Sequence, residues 1–175
     1  MNDPTIKPRS RTLHRMIISA VFAAIIFAAT AYLPRIPFAG GYVHIGDAFI
    51  YLAAGLLPMP WAMAAGAVGG ALADALTGYM LWAPGTALIK AVTAMLFTAK
   101  KEKLLCKHNL VGALLSVLVC MGGYYIWETI LTGSLVTPIA SLFYNFLQGA
   151  LSGVIYIPMA AALDKLNFKQ RIMGQ

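Results

Sequence analysis

Acidic residues are scarce: there are six Asp and Glu in 175 residues. Charge of either sign makes up only 11% of the chain, where a soluble domain carries about a quarter. The chain is 60% hydrophobic, and no core of this size could hide so many apolar side chains from water. A water-soluble globule is excluded, and lipid is the remaining solvent. Cysteine is nearly absent. Cys106 and Cys120 fit no metal spacing, which argues against a disulfide framework or a zinc site. The three histidines, His14, His44 and His108, fall in or beside loops on different sides, so no metal cluster is expected. The phosphate-binding pattern G-x-x-x-x-G-K-[ST] is missing, so the chain is not expected to hydrolyse ATP through such a loop. Gly149, Ser152 and Gly153 resemble a serine-hydrolase turn, but the spacing is wrong and no span carries a partner histidine. An intramembrane enzyme is therefore a poor reading, and no cofactor is expected.

What is present is a series of apolar runs near the ~20 residues that cross a bilayer. Pro, Gly and charged residues divide them into six: about 13–33, 45–57, 61–78, 85–99, 110–131 and 136–163. The expected fold is all-α, a six-helix polytopic membrane protein forming a single domain over 1–175. The first run is too long for the apolar core of a signal peptide, so it is expected to remain as a span. The segment between Pro34 and His44 reads as a loop.

Basic residues set the expected orientation. Lys7, Arg9, Arg11 and Arg15 precede the first run. Lys100, Lys101, Lys103 and Lys107 lie between the fourth and fifth. Lys165, Lys169 and Arg171 follow the sixth. Six crossings put all three clusters, and both termini, on the cytoplasmic side; five or seven would split them. Topology thus accounts for the net charge of +7, and no nucleic-acid partner is expected.

Charges within spans cost about 2.5–3.5 kcal/mol each on insertion scales, so they face protein, water or ligand. Asp47, Asp74, Lys90 and Glu128 are the four. At about 1.5 Å per residue, Asp74 and Lys90 lie at matching depths, about 6 and 7.5 Å below the outer ends of their runs. They form an expected structural ion pair, or else Lys90 contacts a ligand while Asp74 positions it. Glu128 lacks an obvious cationic partner, which makes it a ligand candidate or an interfacial carboxylate. Asp47 at the start of the second run suits a helix cap, because a carboxylate is favoured at a helix N-terminus.

Polar residues also recur at helical spacing. The fourth run carries Thr86, Lys90 and Thr93. The fifth carries Tyr124, Trp127 and Glu128, continuing from Cys120. The sixth carries Ser141, Asn145, Gln148 and Ser152. Polar glue between helices produces such stripes too. Three on consecutive runs, with aromatics beside them, predict a shared polar cavity open to the outer side. Lys90, Glu128, Asn145, Thr86 and Gln148 are its polar candidates. Trp127, Tyr124 and Trp82 are expected to pack on a planar ring. Small residues repeat every four positions at Ala20, Ala24 and Ala28 and at Ala62, Gly66 and Gly70. The second set suits internal packing, and the first could face a partner protein.

Four stretches bear a family resemblance: Tyr42-Val43-His44-Ile45-Gly46-Asp47, Ala53-Ala54-Gly55-Leu56-Leu57-Pro58, Gly66 through Asp74, and Trp82 through Lys90. They resemble the substrate-binding S components of energy-coupling factor (ECF) vitamin transporters, in the branch of riboflavin-type and hydroxymethylpyrimidine- or vitamin B6-type members. The resemblance implies a high-affinity, outward-facing pocket for a vitamin or precursor. It implies a lid made by the loop after the first span, which brings Tyr42 and His44 to the site. It also implies a docking face at Ala20, Ala24 and Ala28 for a transmembrane coupling subunit, itself driven by two cytoplasmic ATPase subunits. The location implied is a prokaryotic cell membrane. Two other classes stay open on the residues alone. One is a stand-alone transporter coupled to protons through the buried carboxylates. The other is a membrane scaffold whose polar stripes only hold helices together.

Overall fold

The computed structural model describes residues 8–38 and 41–174. Seven helices and one small hairpin occur among them: α1 (Pro8–Ala31), β1 (Ile36–Phe38), β2 (Gly41–Val43), α2 (Gly46–Leu56), α3 (Met59–Leu76), α4 (Ala83–Met95), α5 (Lys107–Thr132), α6 (Ile139–Lys165) and α7 (Phe168–Met173). Local chemistry explains most boundaries. Pro58 stops α2 and stands just before α3, whose first turn holds Pro60. Pro84 opens α4. Proline is tolerated there because the first-turn amides have no intrahelical acceptor. At the end of α5, Gly133 takes the left-handed conformation (φ 66°) that terminates a helix at little cost.

Three helical segments are long and apolar enough to cross a membrane: Arg11–Ala31, Lys107–Thr132 and Ile139–Lys165. Their outward faces carry apolar stripes at four-residue spacing, such as Leu114, Leu118, Ile126 and Ile130 on α5, each more than 60% exposed. Helices α2 and α4, with 11 and 13 residues, are shorter than a spanning helix. Helix α2 is buried almost throughout and forms the centre of an all-α membrane bundle. Tyr51 of α2 stacks on Phe97 (ring centroids 4.8 Å apart) and meets the edge of Tyr156 of α6 at 5.9 Å. Helices α1 and α3 cross at Gly69, where an added Cβ would lie 2.6 Å from the Ala23 carbonyl oxygen.

Two elements differ from the sequence expectation. The loop between Pro34 and His44 contains an antiparallel hairpin in which Ile36 faces Val43 and Pro37 faces Tyr42. After α6 the chain turns at Asn167, in the left-handed conformation (φ 49°), and folds back as α7. Lys169 of α7 is 2% exposed, and its ammonium donates to the carbonyls of Gly55 (2.9 Å), Ala99 (2.7 Å) and Lys101 (2.6 Å). The Asp164 carboxylate accepts the backbone N–H groups of Leu104 and Leu105 at 2.8 and 2.9 Å. His14 Nε2 lies 2.7 Å from the Ile172 carbonyl oxygen. The start of α1, the loop after α4 and the end of the chain therefore meet at one end of the bundle. The hairpin occupies the other.

Candidate functional site

The stripes on α4, α5 and α6 all turn inward. Thr86, Lys90 and Thr93, then Cys120, Tyr124 and Glu128, then Ser141, Asn145, Gln148 and Ser152 are buried. Under the hairpin they converge on a half-open cavity lined by Gly41, Tyr42, His44, Asp74, Tyr79, Trp82, Tyr124, Glu128, Asn145 and Gln148. The enclosed space is about 30 Å³, room for a water molecule; counted out to its mouth, the empty space is about 350 Å³. The enclosed space is far below the roughly 300–1,000 Å³ typical of ligand pockets.

One layer below the cavity sits an ion pair. The Lys90 ammonium on α4 is 2.8 Å from Asp47 Oδ1 and 2.9 Å from Oδ2, and both side chains are nearly solvent-free. Gln148 of α6 donates to the same carboxylate at 3.2 Å, and the Lys90 ammonium lies 5.2 Å from the Tyr124 ring centroid. This corrects the expected Asp74–Lys90 pair. Asp74 instead accepts from the Tyr42 hydroxyl at 2.9 Å and from the Thr86 hydroxyl. Thr86 stands one helical turn above Lys90, so Asp74 of α3 reaches α4 at that level while Lys90 turns toward α2. The cap expected of Asp47 is corrected by the same geometry. Asp47 lies in the first turn of α2, but its side chain caps no amide. A lysine within reach is the stronger partner for a buried carboxylate.

The hairpin is tied to the wall through Tyr42. The Thr86 proton is given to Asp74, so the Tyr124 hydroxyl, 3.0 Å away, donates to Thr86. A chain of hydroxyls thus links β2, α3, α4 and α5. Tyr42 also packs on Tyr79 (4.9 Å) and His44 (5.6 Å), with the Arg35 guanidinium 4.7 Å above its ring. Burial, helped by the Asp74 charge, pushes the Tyr42 phenol up to about 12, which keeps it a donor. Burial pushes the His44 imidazole down to about 4 against the pull of Asp47, so it is neutral. His44 Nδ1 accepts the Gly46 amide at 3.1 Å, which leaves the proton on Nε2. Gly46 admits no side chain, since a Cβ there would meet Thr30 Oγ1 at 2.0 Å.

Of the ten residues expected at the site, Tyr42, His44, Trp82, Tyr124, Glu128, Asn145 and Gln148 line the cavity. Thr86 and Lys90 support it from below. Trp127 is a correction. One position before Glu128 and so off the Tyr124 and Glu128 face, its ring packs over Gly85, and its N–H donates to the Leu81 carbonyl at 3.1 Å. It helps line a separate apolar groove between α4 and α5. Tyr79 and Gly41 were missed as lining residues. The aromatic turn after α3 was the available signal for Tyr79; the pairing of β1 with β2 brings in Gly41 and had no sequence signal.

Glu128 accepts from the Ser141 hydroxyl at 2.7 Å through Oε2. Two donors on other residues of the lining, Asn145 Nδ2 and Trp82 Nε1, are buried without a partner. Buried polar atoms are normally paired, so unpaired donors lining a cavity mark places for a ligand acceptor. Among the described residues no group of acidic, His and Cys side chains could hold a metal ion.

Ala20, Ala24 and Ala28 are all exposed on α1, on the side opposite Ile26, which packs against α3.

No curated protein matches the chain. A family model described as "ECF-type riboflavin transporter, S component" matches residues 10–165. Nearly the whole bundle is covered, from the first turn of α1 to the end of α6, and so the chain belongs to the family of ECF-type riboflavin transporter S components, the substrate-binding subunits of these importers.

Proposed function

We propose that the cavity beneath the hairpin captures a vitamin or vitamin precursor with a heteroaromatic ring, with high affinity, for import across a prokaryotic cell membrane. The observation carrying this reading is the pair of unpartnered donors, Asn145 Nδ2 and Trp82 Nε1, in a cavity that also presents Glu128 and the rings of Tyr42, Tyr79 and Tyr124. Aromatic walls with a few convergent polar groups are what a planar, polar ligand needs. The enclosed space is too small for such a ring with the hairpin down, so entry requires the hairpin to lift. That motion breaks the Tyr42–Asp74 bond. Family membership supports a small-molecule substrate and ECF partners; a pyrimidine or pyridine ring is the finer reading offered here, with riboflavin itself as the comparison. Purified protein titrated with riboflavin, pyridoxine and 4-amino-5-hydroxymethyl-2-methylpyrimidine tests it. One of them at a hundredfold excess over Kd stabilises the protein by about 2.7 kcal/mol, a rise of several degrees in Tm. A folded protein whose Tm none of the three moves would sink the reading.

The topology proposed is six crossings, the short α2 being shielded by its neighbours and the short α4 keeping one apolar face, Leu88, Val92 and Met95, outward. Lys100, Lys101, Lys103, Lys107, Lys165 and Arg171 cluster at the end away from the hairpin, which the positive-inside rule assigns to the cytoplasm along with both termini. The exposed Ala20, Ala24 and Ala28 suit close approach of a helix from the transmembrane coupling subunit, with two ATPase subunits supplying the energy. Ala24→Trp is expected to prevent co-purification with the coupling subunits while ligand binding stays intact. Unchanged co-purification would remove α1 as the docking face.

A further inference from the structure

A second space lies behind the wall of the cavity. The groove between α4 and α5 has a volume of about 480 Å³. At its floor the two helices touch: a Cβ added at Gly123 would lie 2.7 Å from Ile89 Cγ1. At its hairpin end Trp127 packs over Gly85. Gly122 leaves the middle open, since nothing lies within 4 Å of a Cβ there. The flanks are Leu88 on α4 and Leu118, Ile126 and Ile130 on α5, each more than 60% exposed. No charged, hydroxyl or amide side chain lines the groove, and the Trp127 N–H is spent on the Leu81 carbonyl.

Position and length limit what fits. Gly85 stands in the first turn of α4 and Ile130 in the last turn of α5, both at the hairpin end. From Ile130 the groove runs down to Leu118, about 18 Å along the α5 axis. The hydrocarbon of one leaflet is about 15 Å deep, half of a core of about 30 Å. The groove therefore starts near the polar boundary and ends near the bilayer midplane, the course of one acyl chain hanging from its headgroup. Its α5 flank belongs to the lipid-facing stripe described above, so lipid borders it along its length. A partner helix fits this surface poorly. Helices associate in lipid where small residues let backbones approach, and here large side chains stand on both flanks. A flexible chain lies between them and restores the dispersion contacts that an unfilled groove forfeits.

We propose that this groove binds one acyl chain of an outer-leaflet phospholipid, and that the chain braces the cavity wall. The wall is thin. Ile89, Cys120 and Tyr124 form a buried cluster with Trp82 and Val119 packed against it. Ile89 and Val119 face the groove, while Tyr124 and Trp82 line the cavity. The site reads chain length and not the headgroup, and it stands whatever the cavity captures.

The test is to strip the full-length protein of lipid in detergent and titrate it with 1-palmitoyl-2-oleoylphosphatidylglycerol. Native mass spectrometry counts the bound lipid, and thermal unfolding reads its effect. One tightly held lipid per protein and a higher Tm are expected. The phosphatidylcholine with the same chains is expected to bind within about threefold, a margin of under 1 kcal/mol. Dihexanoylphosphatidylcholine, whose chains are too short to fill the groove, is expected to bind at least about tenfold more weakly, because each methylene left out forfeits its burial. Gly122→Leu places a side chain where the acyl chain lies and is expected to lower lipid affinity by about tenfold through the clash. Gly153→Leu is the same exchange on α6, also with nothing within 4 Å of a Cβ, and is expected to change nothing. A wild type that holds no lipid, equal binding of the short-chain lipid, or equal loss in both variants overturns the proposal. So does a dimer that excludes lipid, which would give the groove to a second copy of the chain. The chain-length series on the wild type decides the matter even if Gly122→Leu fails to fold.

Discussion

Lys90→Met is expected to lower stability by about 3–5 kcal/mol, because it leaves the Asp47 carboxylate buried without its counter-charge. Asp47 is 2% exposed, and its remaining donor, Gln148 at 3.2 Å, cannot replace a lysine that contacts both oxygens. The consequence is not confined to one helix. Asp47 belongs to α2, Lys90 to α4 and Gln148 to α6, so the pair holds together the three helices beneath the cavity. Ligand affinity should fall with stability, since Asn145 and Gln148 share a face of α6. The double variant Asp47→Asn, Lys90→Met removes both charges and is expected to recover most of the loss, as replacing a whole buried ion pair is often close to neutral. Thermal and denaturant unfolding of the detergent-solubilised protein would measure all three proteins. If Lys90→Met matched the wild type, or the double variant were no better than the single, the pair would not be holding these helices together.

Gly69→Ala is expected to cost about 2 kcal/mol even though alanine is the better helix former, because overpacking a close contact typically costs 1–3 kcal/mol. The new Cβ would meet the Ala23 backbone oxygen at 2.6 Å and the Ile26 side chain at 2.9 Å. A backbone carbonyl cannot swing aside, so α1 must move off α3. Gly122 on α5 is the control. Nothing lies within 4 Å of a Cβ there, so Gly122→Ala is expected to be neutral or to stabilise by up to about 1 kcal/mol through helix propensity. Unfolding midpoints of the two variants should therefore move in opposite directions, or one should move and the other hold. Equal behaviour would mean that propensity, not packing, governs both sites. If α1 is the docking face proposed above, Gly69→Ala should weaken partner docking along with stability.

The apolar runs and their proline and glycine breaks were readable along the chain because each depends on its own residues. The same holds for the inward faces of α4, α5 and α6, since a 3.6-residue period tells which side chains share a face. Tyr124, Glu128, Asn145 and Gln148 line the cavity for that reason, whereas Tyr42 and His44 came from the family resemblance and Trp82 from the aromatic turn before α4. Trp127 failed on a finer point: at one position from Glu128 it is rotated by about 100°, and Gly85 on the neighbouring helix opens a slot for its ring. That slot belongs to α4, and nothing within α5 announces it.

What the sequence by itself determined is the solvent, the number of apolar segments, the helical fold and which residues turn inward. Composition and periodicity suffice for these, because lipid demands internally bonded helices and polar side chains must leave it. Only the tertiary structure decided who meets whom. Matching depth suggested Asp74 for Lys90, yet the rotation of α4 gives Lys90 to Asp47 and leaves Asp74 to Tyr42 and Thr86. Lys169 read as one more basic residue near a terminus, yet α7 folds back and buries it among three carbonyls. The loop after α1 read as a loop, yet its hairpin completes the cavity roof. Depth along a helix is a local quantity that residue counting supplies. The rotation of one helix against another is set by packing between segments far apart in the chain, and in this bundle that packing decides which charges pair and where a ligand can enter.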